Sequence, residues 1–216
     1  MNKRKTPFEC IRDDIIKNKV IPSKFISKLP RGWKRVGHVA VIELKPELEP
    51  WKRAIAEKYL EYLPEYKTII RKIGVTSGQF RIPKFEFLAG NTQTITKHKE
   101  LGTIFWLDAM QLTFSSGNHR ERLRMIELSE ENETVVDMFA CVGNLSLPIA
   151  VHNPTAKVIG IEINPLAYKF LLKNIQINNV INRYRAVLGD NREKTPDNFA
   201  TRVIMGYLGI DLLQIK

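Results

Sequence analysis

Cysteine is scarce: Cys10 and Cys141 are the only two in 216 residues. One lies near the start and the other inside a glycine turn, so a disulfide framework is not the source of stability, and a reducing compartment is expected. Apolar runs are short, and none approaches the roughly 18 residues that read as a membrane helix. The opening stretch MNKRKTPFECIRDD lacks the apolar core of a secretory signal. A cytoplasmic location without membrane attachment is the expectation. A complete G-x-G-x-x-G is also missing, so no pyrophosphate-binding fingerprint can be written. No metal site is expected, and the first half of the chain carries neither a repeat nor a coiled-coil pattern.

Acidic residues are in the minority, 23 against 34 lysines and arginines, which leaves a net charge of +11 and a pI near 9.7. Such an excess favours a polyanionic partner, nucleic acid first and an anionic membrane surface second. The hydrophobic fraction, 44%, is that of an ordinary globular chain. It suffices for one substantial domain or two small ones.

The stretch TVVDMFACVGNLSLPIAVHNPTAKVIGIE, residues 134–162, organises the rest. It opens with β-branched and apolar residues, breaks at Gly143 and resumes with a helical pattern from Leu145. A second apolar run over residues 157–161 ends on Glu162, which lies 162 − 143 = 19 positions past the glycine. In a Rossmann-like βαβ unit the glycine turn lets a nucleotide approach the backbone, and an acid about 20 residues on accepts from the ribose hydroxyls. A single glycine suits a nucleoside such as S-adenosylmethionine (AdoMet) better than a dinucleotide. The plainer alternative is a parallel α/β crossover with an acid at a strand end.

Basic residues from Lys3 to Arg35 far outnumber Glu9, Asp13 and Asp14, so residues 1–35 read equally as a phosphate-contacting segment and as a solvated leader. Residues 36–44 alternate as one strand, and a helix starts at Pro50 and Trp51 with Ile55, Ala56, Tyr59, Leu60 and Leu63 on its inner face. Further strands are expected over residues 68–74, 85–88 and 102–114. At FSSGNHRERLRM, Ser115, Ser116 and Asn118 are candidate caps for a helix bearing Arg120, Arg122 and Arg124, which point in different directions because alternate helix positions do not share a face. Asn164-Pro165 is a helix start of the N-cap and proline kind. A strand over residues 184–188 leads to Asp190, so two acids mark two consecutive strand ends, and a fourth strand over residues 202–205 leads to Gly206-Tyr207.

Read in order, VVDMFACVGNLSLPIA, VIGIEINP, GDNR and VIMGY resemble the class I methyltransferase half of the archaeal family that modifies guanosine at position 37 of tRNA. GQFRIPKFEFLAGN, KHKELGTIFWLD and FSSGNHRERLRM extend the resemblance upstream, so it covers roughly residues 70–207. Two branches compete. One contains the tRNA (guanine-N1)-methyltransferases; the other moves the 3-amino-3-carboxypropyl group of AdoMet onto 4-demethylwyosine in tRNA(Phe), within wybutosine synthesis. The methyltransferases carry an Asn-Pro type motif where this chain reads Met205-Gly206-Tyr207, and FSPR where it reads Ser115-Ser116-Gly117-Asn118. Both departures resemble the aminocarboxypropyl branch.

The resemblance implies a small α+β domain over residues 36–114, followed by an AdoMet-binding Rossmann-like parallel sheet over residues 115–216. It further implies that Ser115 and Arg122 meet the methionine end of AdoMet, Glu162 the ribose, and Asp190 with Asn191 the adenine, with Phe139 and Gly143 of the turn also binding the cofactor. Arg81, Glu121 and Tyr207 occupy positions associated with catalysis, as electrostatic stabiliser, general base and product discriminator. Cys141 stands where the family has glycine. The family sheet has seven strands and this chain supplies four, so a truncated sheet is expected. Completion by a partner or a further segment, and a catalytically inactive remnant, are the readings that go with it.

Overall fold

The computed structural model describes residues 5–206, and Tyr207 therefore lies outside the described residues. The chain divides into two compact units. The first comprises residues up to 77 together with 82–96 and 108–111, and the second comprises residues 78–81, 97–107 and 112 onward.

In the first unit, helix α1 (Pro7–Lys17) begins with a reciprocal cap: the Thr6 hydroxyl accepts from the Glu9 N–H while the Glu9 carboxylate accepts from the Thr6 N–H. Strands β1 (Lys34–Val36) and β2 (Val39–Ile42) form an antiparallel hairpin through Gly37, whose φ is +57°. The single strand expected over residues 36–44 is thus two, because the glycine reverses the chain inside the apolar run. Helix α2 (Lys52–Tyr62) crosses over to β3 (Thr68–Lys72), parallel to β2, and β4 (Phe85–Gly90) returns antiparallel to β3. The sheet order is β1-β2-β3-β4. Ile11, Ile15, Ile21 and Leu29 are buried in one core with Ile55 and Tyr59 of α2 and Ala40, Ile42 and Ile69 of the sheet. Residues 5–35 are therefore part of a packed domain rather than a separate basic segment, because their apolar positions face inward and their lysines outward.

Most of the hairpin formed by β5 (Ile95–Glu100) and β6 (Thr103–Asp108) lies in the second unit. The first of these strands carries no apolar alternation in ITKHKE and was not expected. A 3-10 turn over Ser116–Asn118 precedes α3 (His119–Glu127), and no side chain caps it. The parallel sheet follows as β7 (Thr134–Asp137), α4 (Ser146–His152), β8 (Lys157–Glu162), α5 (Pro165–Ile177), β9 (Tyr184–Leu188), α6 (Asn191–Lys194) and β10 (Arg202–Ile204). Asn164 caps α5 by accepting from the N–H groups of Leu166 and Ala167, as Asn-Pro leads one to expect.

The strand order is β10-β7-β8-β9, all parallel. The chain thus steps from β7 to β8 to β9 and then returns to the other side of β7. Such a reversal leaves a crevice outside the carboxyl ends of the strands, the usual ligand site of an open α/β sheet. Val135 and Val158 are buried in the sheet, as are Leu147 and Ile149 of α4 and Leu171 and Ile175 of α5, while Val136 and Ile161 belong to a separate core with Met138, Ile159 and Val187. Asn174 of α5 and Asn178, which caps its C-terminus, sit one turn apart and pair with the backbone of β6. The Asn174 side chain accepts from Trp106 N–H (2.7 Å) and donates to its carbonyl (3.1 Å), and Asn178 does the same with Ile104 (2.9 and 2.7 Å).

Candidate functional site

Strand β7 delivers Asp137 into the interior, where it is 2% exposed. Its carboxylate accepts from the Phe139 N–H (3.1 Å) and the Ser146 hydroxyl (2.6 Å), and the latter lies 2.7 Å from the Tyr184 hydroxyl. Gly160 on β8 makes room for that tyrosine, since a Cβ there would overlap its hydroxyl. With no cation in this network, burial pushes the Asp137 carboxyl up to about 6.

Beyond Asp137 the backbone turns tightly. Gly143 has φ +91°, and a Cβ on it would sit 2.7 Å from the Leu147 Cβ, so only glycine fits. Cys141 is also in the left-handed region at φ +49°, and its thiol donates to the Thr113 carbonyl at 3.5 Å. A non-glycine residue thus holds positive φ at the position where the family has glycine. Burial, with Glu162 nearby, pushes the thiol pKa up, which favours the neutral thiol.

Glu162 ends β8 and is held in place by two N–H groups, those of Cys141 (2.6 Å) and Asn164 (2.7 Å), one on each oxygen. Each oxygen keeps acceptor capacity for a further donor. Burial raises its pKa, against those two hydrogen bonds. At the end of β9, Asp190 caps α6 through the Arg192 N–H (2.9 Å) and pairs with the Arg192 guanidinium (2.6 Å), which holds its carboxyl below the usual range. The neighbouring Asn191 is buried, and its Nδ2 has no partner among the described residues.

These ends surround a cavity of about 670 Å³, within the range of small-molecule sites. Residues after all four strands contribute to it: Phe139, Cys141 and Asn144 after β7, Glu162 and Asn164 at β8, Asp190 and Asn191 after β9, and Met205 with Gly206 after β10. The segments before and within α3 add Ser115, Asn118 and Glu121, and residues 79–81 add Gln79, Phe80 and Arg81. Of the residues singled out in sequence, Arg81, Ser115, Glu121, Phe139, Glu162, Asp190 and Asn191 thus share one cavity, while Gly143 shapes the turn beneath it.

Arg122 is placed differently. Its side chain is fully buried, paired with Glu100 (2.7 and 3.2 Å), and donates to the Ser115 carbonyl (2.7 Å) between the rings of Phe105 and Phe114. It does not line the cavity where contact with the methionine carboxylate was expected; it supports Ser115 from behind, and its Nη1 has no partner among the described residues. The physical reason is the partner: Glu100, also bonded by His98 and His119, draws the guanidinium inward. Burial opposes the Glu100 charge, but Arg122 and the histidines hold its pKa below the ordinary value. Glu121 is fixed by Nε and Nη2 of Arg124 (2.9 and 2.6 Å), which lowers its pKa.

Sequence reasoning missed Asn144 and the second role of Asn164. The Asn144 Nδ2 donates to the Thr113 carbonyl (3.1 Å), while its buried Oδ1 has no partner among the described residues. The Asn164 Nδ2 donates to the Phe80 carbonyl (3.3 Å). A polar residue beside the glycine turn was the only signal for the first, and the capping role masked the second. The unpartnered amide donor of Asn191, the unpartnered acceptor of Asn144 and the anchored carboxylate of Glu162 together fit AdoMet, which offers an adenine acceptor, a cationic ammonium and a ribose diol. Among the described residues no three His, Cys, Asp or Glu side chains gather to hold a metal ion.

Comparison with known proteins agrees with this architecture. Residues 96–212 match the TRM5/TYW2 methyltransferase domain, and residues 13–94 match the TYW2 N-terminal domain. The tRNA(Phe) (4-demethylwyosine(37)-C(7)) aminocarboxypropyltransferase of Pyrococcus horikoshii is 45% identical over 193 residues, covering 89% of this chain and 68% of that protein. The crystal structure of P. horikoshii TYW2 in complex with MeSAdo aligns with a TM-score of 0.78 at 42% identity, over 93% of this chain and 70% of that one. The complex of aTrm5 with tRNALeu also aligns at 0.78, with 31% identity, over 95% of this chain and 60% of that one.

Proposed function

The chain belongs to the TRM5/TYW2 family, and from that membership we propose that it transfers the 3-amino-3-carboxypropyl group of AdoMet to 4-demethylwyosine at position 37 of tRNA(Phe). The observation that carries this reading is the 45% identity to an aminocarboxypropyltransferase across 89% of the chain, together with Met205-Gly206 at the cavity where the methyltransferase branch carries Asn-Pro.

The residues divide the work by chemistry. Glu162 accepts the ribose hydroxyls on its free lone pairs, and the Asn191 amide donates to an adenine ring nitrogen with Asp190 beside it. Phe139 packs against the nucleoside, and Ser115 lies at the methionine end, its carbonyl fixed from behind by Arg122. Bound there, AdoMet supplies an activated carbon on a positively charged sulfur, so the leaving thioether needs no protonation. The protein's task is alignment: which carbon meets the base is decided by how the methionine arm lies between Ser115, Asn144 and Met205. Arg81 and Glu121 line the same cavity on the substrate side, as charge stabiliser and proton acceptor; Arg124 keeps Glu121 ionised.

No helix among the described residues is long and apolar enough to cross a membrane, and a cytoplasmic location suits a tRNA substrate. We further propose that β10, paired only with β7 among the described residues, is covered on its other edge by a partner strand or by further chain. Val203 and Met205 are exposed beside a groove of about 550 Å³ lined also by Met125 and Leu128.

The test is incubation of the protein with AdoMet and tRNA(Phe) bearing 4-demethylwyosine, followed by nucleoside mass analysis. An aminocarboxypropyl gain is expected. A methyl gain on unmodified guanosine instead reassigns the chain to guanine-N1 methylation, and no gain despite tRNA binding makes it a non-catalytic remnant.

A further inference from the structure

Residues 78–81 form a tight turn, closed by the Arg81 N–H donating to the Gly78 carbonyl (3.0 Å), with Gly78 and Arg81 both at positive φ. Its last two carbonyls are pinned from two sides of the cavity. Asn164 donates to Phe80, and the Thr113 hydroxyl donates to Arg81 at 2.9 Å. Asn164 is itself fixed, because its N–H holds Glu162 and its Oδ1 caps α5. The turn is thus tied rigidly to the ribose-binding acid on one side and to the segment leading into Ser115 on the other.

Although its backbone is held, the Phe80 side chain is 43% exposed at the cavity. Among the described residues it makes no ring stacking or cation–π contact. An aromatic ring left half in water on a well-anchored turn is a platform without a load. A purine taken out of an RNA stack loses its neighbours, and enzymes acting on such bases replace that stacking with aromatic or apolar side chains. The half-exposed ring lines the same cavity as Glu162 and Ser115, so a base entering that cavity from solvent can reach it. The adenine-side groups Asp190 and Asn191 lie at a different strand end.

We propose that Phe80 is the stacking residue for the target base at position 37, a positioning residue that sets tRNA binding and alignment without contacting AdoMet. This rests on the tRNA-modifying reading above.

The experiment uses the full chain, wild type, Phe80→Leu and Phe80→Trp, titrated by fluorescence anisotropy with labelled tRNA(Phe) carrying either 4-demethylwyosine or an abasic residue at position 37. Stacking of one base predicts that wild type and Phe80→Trp favour the base-bearing tRNA by roughly 5- to 150-fold. Phe80→Leu loses most of that preference, binds the abasic tRNA like wild type, and keeps its calorimetric AdoMet affinity within about 2-fold. Equal weakening on both tRNAs, a parallel loss of AdoMet affinity, or no base preference in wild type overturns the proposal. Binding is read without turnover. A preserved Phe80 effect in a protein that transfers nothing therefore sinks the aminocarboxypropyl reading alone, and transfer with no Phe80 effect sinks this one alone.

Discussion

Replacing Asp137 by Asn tests the buried network beneath the glycine turn. The native carboxyl has its pKa raised from 3.8 to about 6, chiefly by burial and against the hydrogen bonds from Ser146 and Phe139. Between these values the folded protein binds more protons than the unfolded chain, so this group's contribution falls as pH rises and is fully lost above pH about 6. At 1.36 kcal/mol per unit the penalty reaches about 3 kcal/mol at pH 8, against less than about 1 kcal/mol at pH 4. Asparagine carries no charge at either pH. Its Oδ1 still accepts from Phe139 and its amide faces the Ser146 oxygen, but the chain of donors reverses and leaves the Tyr184 hydroxyl proton without its acceptor, which costs about 1 to 2 kcal/mol. The variant is therefore expected to be less stable than wild type at pH 4 and more stable at pH 8, with the difference between the two proteins moving by about 2 to 3 kcal/mol across that range. Urea titrations followed by circular dichroism at several pH values read this directly. A difference that stays flat from pH 4 to 8 would refute the assignment of the proton to Asp137.

Glu100→Gln removes the charge that pairs with the buried Arg122, and about 3 kcal/mol of stability should go with it, seen as a lower melting temperature while the surface pairs stay intact. Because the Glu100 pKa lies below its ordinary value, the stability it supplies is present at neutral pH and is lost as pH falls through that lowered value, so the variant and wild type should converge in strong acid. Asn164→Asp keeps the oxygen that caps α5 but sets an acceptor against the Phe80 carbonyl. Stability at neutral pH should fall by about 1 to 3 kcal/mol, because the new carboxylate is buried against a carbonyl, and kcat/KM for tRNA, measured below the melting transition, should drop roughly 10-fold; an unchanged kcat/KM would mean that the turn does not depend on this bond.

The parallel sheet was legible because strand and helix periods, a glycine turn and two acids at strand ends are all local signals. Glu162 and Asp190 lie where their spacing put them. The hairpin at Gly37 was missed because apolar residues continue on both sides of the reversal, and β5 because its inward residues are Thr96 and His98 rather than aliphatics. Arg122 shows the limit for site residues: whether an arginine faces a ligand or the interior depends on a carboxylate 22 positions away in sequence. No local pattern in KHKEL announces that Glu100 will be that partner. The roles of Asn144 and Asn164 depend in the same way on carbonyls of Thr113 and Phe80, brought near only by folding.

The two amides that α5 extends to β6 have a kinetic corollary. Ile104 and Trp106 donate their N–H groups to Asn178 and Asn174 rather than to another strand, so their solvent exchange is gated by a helix. Deuterium should enter those two positions at the pace at which α5 unwinds, and slower breathing of the parallel sheet would leave no imprint on them.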